Sequence, residues 1–232
     1  GLYRIVGATG VAAYLLNLAE RLVEIKRVLC PTGSVFLHCD RRTTHYTRIL
    51  CDAVFGKRNF RNEIIWHYTG GGRSKTYFSQ KHDSLLFYTK SDKYVFNLDA
   101  IRVPYRQTSG YARSGITAPS GKKYTPHPEG TPVDDVWDIP MVNPMSKERT
   151  GYPTQKPLAL LERIIAACSN ESDLVLDPYC GCGTTLVAAE KLGRRWIGID
   201  SSELAVTSTM QRLRSEFPRL DLKVARPALD LK

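Results

Sequence analysis

The chain has 232 residues, 42% hydrophobic and 24% charged, a composition that excludes global disorder, a collagen-like repeat and a small disulfide scaffold. Lys and Arg number 33 against 23 acidic residues, and the resulting net charge of +10 favours a polyanionic partner, nucleic acid before an acidic membrane surface. No apolar run reaches the roughly 18 residues of a membrane span, and residues 1–10 carry no charged-then-apolar signal, so neither a membrane anchor nor secretion is expected.

Residues 11–30 read as an amphipathic helix, with Val11, Leu15, Leu18, Leu22, Ile25 and Leu29 at helical spacing. Pro31-Thr32-Gly33 ends it, and Ser34–Cys39 follows as a short apolar strand. A second helix is predicted over Thr43–Phe55, closed by Gly56. Strands are predicted at Glu63–Tyr68 and Ser84–Thr89, with His82-Asp83 as the turn before the latter. Between them, Gly70-Gly71-Gly72-Arg73-Ser74-Lys75 opens a basic loop that runs over residues 69–82 and carries Tyr77, Phe78 and Lys81. Residues 98–153 lack clear periodicity but are too rich in aromatics for a solvated linker, and they read as an irregular inserted module with Trp137 and Met141 in its core. His38 reads as an interior histidine, and Trp66 and Tyr68 as alternating strand residues.

From Thr154 the pattern sharpens. Leu158, Leu161, Ile164, Ile165 and Cys168 make a helix with Pro157 in its first turn. Leu174–Asp177 is a strand, Gly181 and Gly183 a tight loop, Thr184–Leu192 a helix and Trp196–Asp200 another strand. A last helix from about Ser201 places Val206, Met210, Leu213 and Phe217 on one face. Strand, glycine loop, helix and acid-ended strand form a nucleotide-binding half-domain, so the fold class is α/β with a Rossmann-like doubly wound sheet. The domain reading is 1–97 and 154–232 as two halves of one core, with 98–153 inserted.

In Asp177-Pro-Tyr-Cys-Gly181-Cys-Gly183-Thr-Thr185 the glycines permit a sharp turn and close approach to the backbone, and the following helix aims free N–H groups at the crevice. A carboxylate at Asp200 can accept both hydroxyls of a ribose. A dinucleotide fingerprint would need a third glycine at position 186, which is Leu, and Asp177 suits a positively charged ligand end better than a pyrophosphate. Cys180 and Cys182 flank Gly181 without the further ligands that zinc requires, and the six cysteines contain no C-x-x-C, so a reduced cytoplasmic setting is expected and no metal site.

Thr154-Gln-Lys-Pro157, the Asp177–Thr185 run and Trp196-Ile-Gly-Ile-Asp200 together resemble the S-adenosylmethionine-dependent DNA amino-methyltransferases of permuted, β-type motif order. The resemblance covers most of the chain and is weakest over residues 98–150, where that family carries its target-recognition region. It implies methyl transfer to the exocyclic amine of adenine or cytosine in a flipped-out base of double-stranded DNA, with S-adenosyl-L-methionine as cofactor. It further implies that Asp177, Gly181 and Gly183 line the methionine end, Asp200 binds the ribose, and Thr154, Gln155 and Lys156 close the side. Pro178, Tyr179, Cys180, Thr184, Thr185 and Ser201 complete the candidate cofactor set. Arg73, Ser74, Lys75 and Lys81 are the candidate DNA contacts, gripping phosphates. A homodimer and a cognate restriction enzyme fit the same resemblance.

The family's catalytic tetrapeptide, Ser, Asp or Asn followed by Pro-Pro and an aromatic, is not in this sequence, and no catalytic residue is assigned; the expectation is that it lies upstream. It matters because the amine's lone pair is delocalised into the ring, and acceptors for its two hydrogens restore nucleophilicity. The alternatives are a DNA- or cofactor-binding homologue without catalysis, an RNA methyltransferase and an NAD-dependent Rossmann enzyme.

Overall fold

The computed structural model describes residues 7, 9–70, 72–106 and 108–225. Residues 1–6 and 8, in the stretch read for a signal and for the tetrapeptide, and Gly71 of the basic loop lie outside the described residues. The chain divides into two compact units, residues 1–141 with 166–170 and residues 142–165 with 171–232. The aperiodic region 98–153 is thus shared between them. Among the described residues no helix is long and apolar enough to cross a membrane.

The first unit opens with α1 (Gly10–Val28), capped by Thr9, whose hydroxyl accepts from the Ala12 amide at 3.4 Å. Its buried stripe is Ala12, Leu15, Leu18 and Leu22, the spacing the sequence predicts. β1 (Ser34–Cys39) and α2 (Thr44–Phe55) follow, and α2 stops where Gly56 takes φ 92°. β2 (Phe60–His67) and β3 (His82–Thr89) bracket the basic loop. Residues 98–141 then supply α3 (Gly110–Ser114), the two-residue strands β4 (Ile116–Thr117) and β5 (Lys123–Tyr124), and β6 (Val136–Asp138).

The main sheet runs β1-β3-β2-β6, with β3 antiparallel to both neighbours and β6 parallel to β2. β3 is central in the sheet, and every residue from Ser84 to Thr89 is buried. Leu18 and Leu22 of α1, Cys51 and Phe55 of α2, and Cys39, Leu86 and Tyr88 of the sheet form one core. His82 and Asp83 are not a turn: the ladder continues to Trp66↔Asp83 and His67↔His82, because β2 offers pairing partners that local polarity cannot reveal. Trp66 and Trp137 are buried, whereas Met141 is exposed rather than core.

In the second unit, Leu158–Ile165 of α4 (Leu158–Cys168) precede β7 (Leu174–Asp177), α5 (Thr184–Lys191), β8 (Arg195–Gly198) and α6 (Glu203–Glu216). β7 and β8 pair in parallel from Leu174↔Arg195 to Asp177↔Gly198, so β7-α5-β8 is the expected crossover unit. The buried face of α6 is Ala205, Thr209, Arg212 and Leu213. The predicted stripe of Val206, Met210, Leu213 and Phe217 is rotated by about one residue, because Thr209 and Arg212 hydrogen-bond inward.

Candidate functional site: the glycine loop and the basic loop

β7 delivers Asp177 at its carboxyl end, and the chain continues past the end of β8 to Asp200. Both carboxylates organise the loop between them. Asp177 accepts from the Tyr179 amide at 3.0 Å and from the Thr185 hydroxyl at 2.5 Å. Asp200 accepts from the Gly181 amide and the Ser202 amide, each at 2.9 Å. The Cys180 amide donates to Ile199 O at 3.0 Å, and the Gly183 amide to Cys180 O at 2.7 Å.

Gly181 and Gly183 sit at φ 52° and 73°, in the left-handed region that favours glycine. Their missing side chains are matched from within the unit. A Cβ on Gly183 would lie 2.7 Å from Thr209 Cγ2, and one on Gly181 would lie 3.2 Å from the Tyr152 ring. Thr209 also donates its hydroxyl to Gly181 O at 2.8 Å. The two glycines therefore seat α6 and Tyr152 on the loop as well as making the turn. The absent third glycine has a counterpart on the neighbouring strand: a Cβ on Gly198 would stand 2.6 Å from Leu186 Cδ2. Leu186 of α5 packs over Gly198 of β8, so helix and strand approach closely with the glycine on the strand instead of the helix.

The polar supports of this loop run deeper. Arg212 is 7% exposed and donates to the Thr184 hydroxyl at 2.9 Å and to Glu216 at 3.0 Å, with Glu148 at 3.9 Å. Glu148 accepts from the Leu158 amide at 2.6 Å, at the start of α4. Gln155 bridges the same segment, donating to Glu148 O at 2.7 Å and accepting from the Thr150 amide at 2.8 Å. The structure therefore brings Thr154–Lys156, Asp177–Thr185 and Asp200–Ser201 into the same unit. Within it Thr184 is an interior side chain, and Gln155 is committed to its own segment. Tyr179 is exposed, and Cys180 and Cys182 are buried. Burial first, and then the charges of Asp177 and Asp200, push the Cys180 thiol up to about 11, so it stays neutral.

Sequence reasoning missed Glu148, Tyr152, Thr209 and Arg212. Thr209 and Arg212 stand three apart on α6, but an apolar-period search passes over polar residues on a buried face.

Chemically, each carboxylate oxygen has two acceptor sites and here uses one within the protein, so Asp177 and Asp200 retain capacity for a further donor. Two carboxylates acting on one thiol make the loop's surroundings electronegative. Such surroundings suit a cationic or hydroxyl donor better than an anionic group.

The basic loop lies in the other unit, between β2 and β3. Arg73 and Lys75 are exposed. Ser74 shapes the loop itself: its hydroxyl oxygen accepts from the Tyr77 amide at 3.2 Å, and its amide donates to Ser79 Oγ at 3.1 Å. The Lys81 ammonium donates to the carbonyls of Gly70 and Gly72. At the neighbouring strand ends, His38 Nε2 lies 2.9 Å from Asp83 Oδ2, and Tyr68 donates to Asp83 Oδ1 at 3.4 Å. The Trp66 indole donates to Ile139 O at 2.8 Å and is structural.

A family model described as DNA methylase, covering N6 and N4 methyltransferases, matches residues 6–211. The chain is 37% identical over 210 residues to the type II methyltransferase M.HpaI of Haemophilus parainfluenzae, covering 90% of this chain and 62% of that protein. It is 34% identical over 201 residues to the DNA adenine methyltransferase YhdJ of Escherichia coli (strain K12), covering 84% of this chain and 65% of that one. It thus spans somewhat under two thirds of the length of these relatives. The crystal structure of the M1.HpyAVI-SAM complex superposes with a TM-score of 0.60 at 25% identity, covering 85% of this chain and 82% of that one. A match that runs through both units, and takes in the glycine loop with its two carboxylates, makes this chain a member of the DNA methylase family.

Proposed function

We propose that this protein methylates DNA on the exocyclic amine of adenine or cytosine, using S-adenosyl-L-methionine. The carrying observation is the glycine loop held between Asp177 and Asp200, each with acceptor capacity left over. S-adenosylmethionine, when bound, supplies a methyl group on a sulfonium centre. Asp177 would hold its ammonium end and Asp200 its ribose hydroxyls. Gly181 and Gly183 hold the turn that places the loop beside these two carboxylates, and Thr154, Gln155 and Lys156 would close the side. The exposed Arg73 and Lys75 hold DNA phosphates while the target base is out of the stack. Residues 98–153 read the target sequence. The type II names among the relatives support a cognate restriction enzyme, a DNA substrate supports a cytoplasmic location, and a homodimer completes this reading.

Titration calorimetry with S-adenosylhomocysteine and with NADH tests the cofactor. Saturable binding of S-adenosylhomocysteine alone is expected. Binding of NADH alone would replace this reading with a dehydrogenase.

A further inference from the structure

Phe78 is 98% exposed and its neighbour Tyr77 is 65% exposed, at the tip of the loop between β2 and β3. Two adjacent aromatic rings offered to water are costly unless something covers them. The loop is not a loose strand that exposes them by accident. Ser74 accepts from the amides of Thr76 and Tyr77 at 3.3 and 3.2 Å, its own amide reaches Ser79 Oγ at 3.1 Å, and Lys81 clasps the carbonyls of Gly70 and Gly72. These bonds close residues 74–79 into a turn with the two rings at its apex. Arg73 and Lys75 precede the rings and Lys81 follows them, so the tip is apolar and its flanks are cationic.

That arrangement is complementary to a nucleic-acid duplex opened at one base. Phosphates run on the outside, where the cations lie, and a stack of apolar base faces lies within. A base moved out of the stack leaves a gap whose walls are two unpaired base faces, and an inserted apolar side chain restores the missing stacking.

We propose that Phe78 is a wedge that enters the duplex and fills the space left by the flipped base, with Tyr77 beside it against the neighbouring stack. This rests on the DNA reading above. Phe78 is then a positioning residue: it holds the opened duplex and takes no part in the chemistry.

The test compares the whole chain with its Phe78→Ala, Phe78→Trp and Arg73→Ala/Lys75→Ala variants on two duplexes. One is intact and the other carries a single abasic gap. The wild type is expected to bind the gapped duplex about tenfold more tightly, because the unstacking cost is already met. Phe78→Ala is expected to lose that preference while keeping its affinity for the intact duplex and its melting temperature. Phe78→Trp is expected to keep the preference, with its indole fluorescence quenched on the gapped duplex. The Arg73/Lys75 variant is expected to weaken on both duplexes with the ratio retained. An unchanged ratio in Phe78→Ala, or a clear fall in its melting temperature, overturns the wedge while leaving the DNA reading in place. No binding of either duplex by the wild type overturns both.

Discussion

At the scale of single residues, Asp200 organises the glycine loop with both of its oxygens. Its two oxygens each accept a backbone amide, from Gly181 and from Ser202. Asp200→Ala leaves both amides without acceptors and removes the acceptor assigned to the ribose. It is expected to weaken S-adenosylhomocysteine binding by about 1–3 kcal/mol, read by calorimetry, and to lower the melting temperature. Asp200→Asn is expected to perform little better. Its amide group places a donor against one of two backbone donors, so one clash replaces one bond. Full affinity in the asparagine variant would show that only one of the two hydrogen bonds matters.

Asp177 and Asp200 were legible in the sequence because strand-end acids flanking a glycine turn form a local pattern. The exact service of each oxygen was not. The same holds for the glycines. Their left-handed geometry could be anticipated from residue type, whereas the packing against Tyr152 and Thr209 depends on segments about 30 residues away in sequence.

At the scale of elements, the second unit is held by one buried cation. Arg212 on α6 reaches Thr184 at the start of α5, Glu216 on its own helix and Glu148 beside the start of α4. A guanidinium suits this position because its planar fork can serve three directions at once. Arg212→Ala is expected to cost about 1–3 kcal/mol in urea denaturation, since it deletes the bonds to Thr184 and Glu216 and leaves the buried Thr184 hydroxyl without this donor. Arg212→Lys is expected to recover only part of this, because one ammonium cannot reproduce three fixed directions. A lysine variant as stable as the wild type would mean that charge alone, not geometry, is what the position needs.

Helix and strand positions were mostly visible in the sequence. The stripe of α1, the bounds of α2 and the apolar run of β3 could all be read from residue type and spacing. The rotated face of α6 was not visible. Hydrophobic periodicity reports where apolar groups are buried and is blind to a polar residue whose partner is on another element.

At the scale of the whole molecule, a net charge of +10 favours a polyanionic partner through long-range attraction rather than through any single ion pair. Arg73→Ala with Lys75→Ala is expected to make the slope of log affinity against log salt shallower by about 0.9 for each phosphate no longer neutralised. Cofactor affinity is expected to stay unchanged, because both residues lie in the unit without the glycine loop. The preferred DNA sequence is also expected to stay, since phosphate contacts carry no base information. Lys81→Ala is expected to act differently, by releasing the loop carbonyls it clasps and so loosening the tip. A double variant with its full salt slope and a changed target site would make the loop a reader of bases.

The sequence by itself determined the αβ alternation, the glycine turn between two acids, the basic loop and the likeness to amino-methyltransferases. Each of these is built from short runs of the chain, where spacing and residue type are enough. Tertiary structure alone decided that β3 lies between β1 and β2, that His82 and Asp83 join its ladder, and that Gly198 stands in for the missing helix glycine. It also decided that Arg212 is interior and Phe78 is not. The reason is physical: burial of a polar or aromatic side chain depends on which partners the fold brings to it, and residue type and spacing do not name those partners.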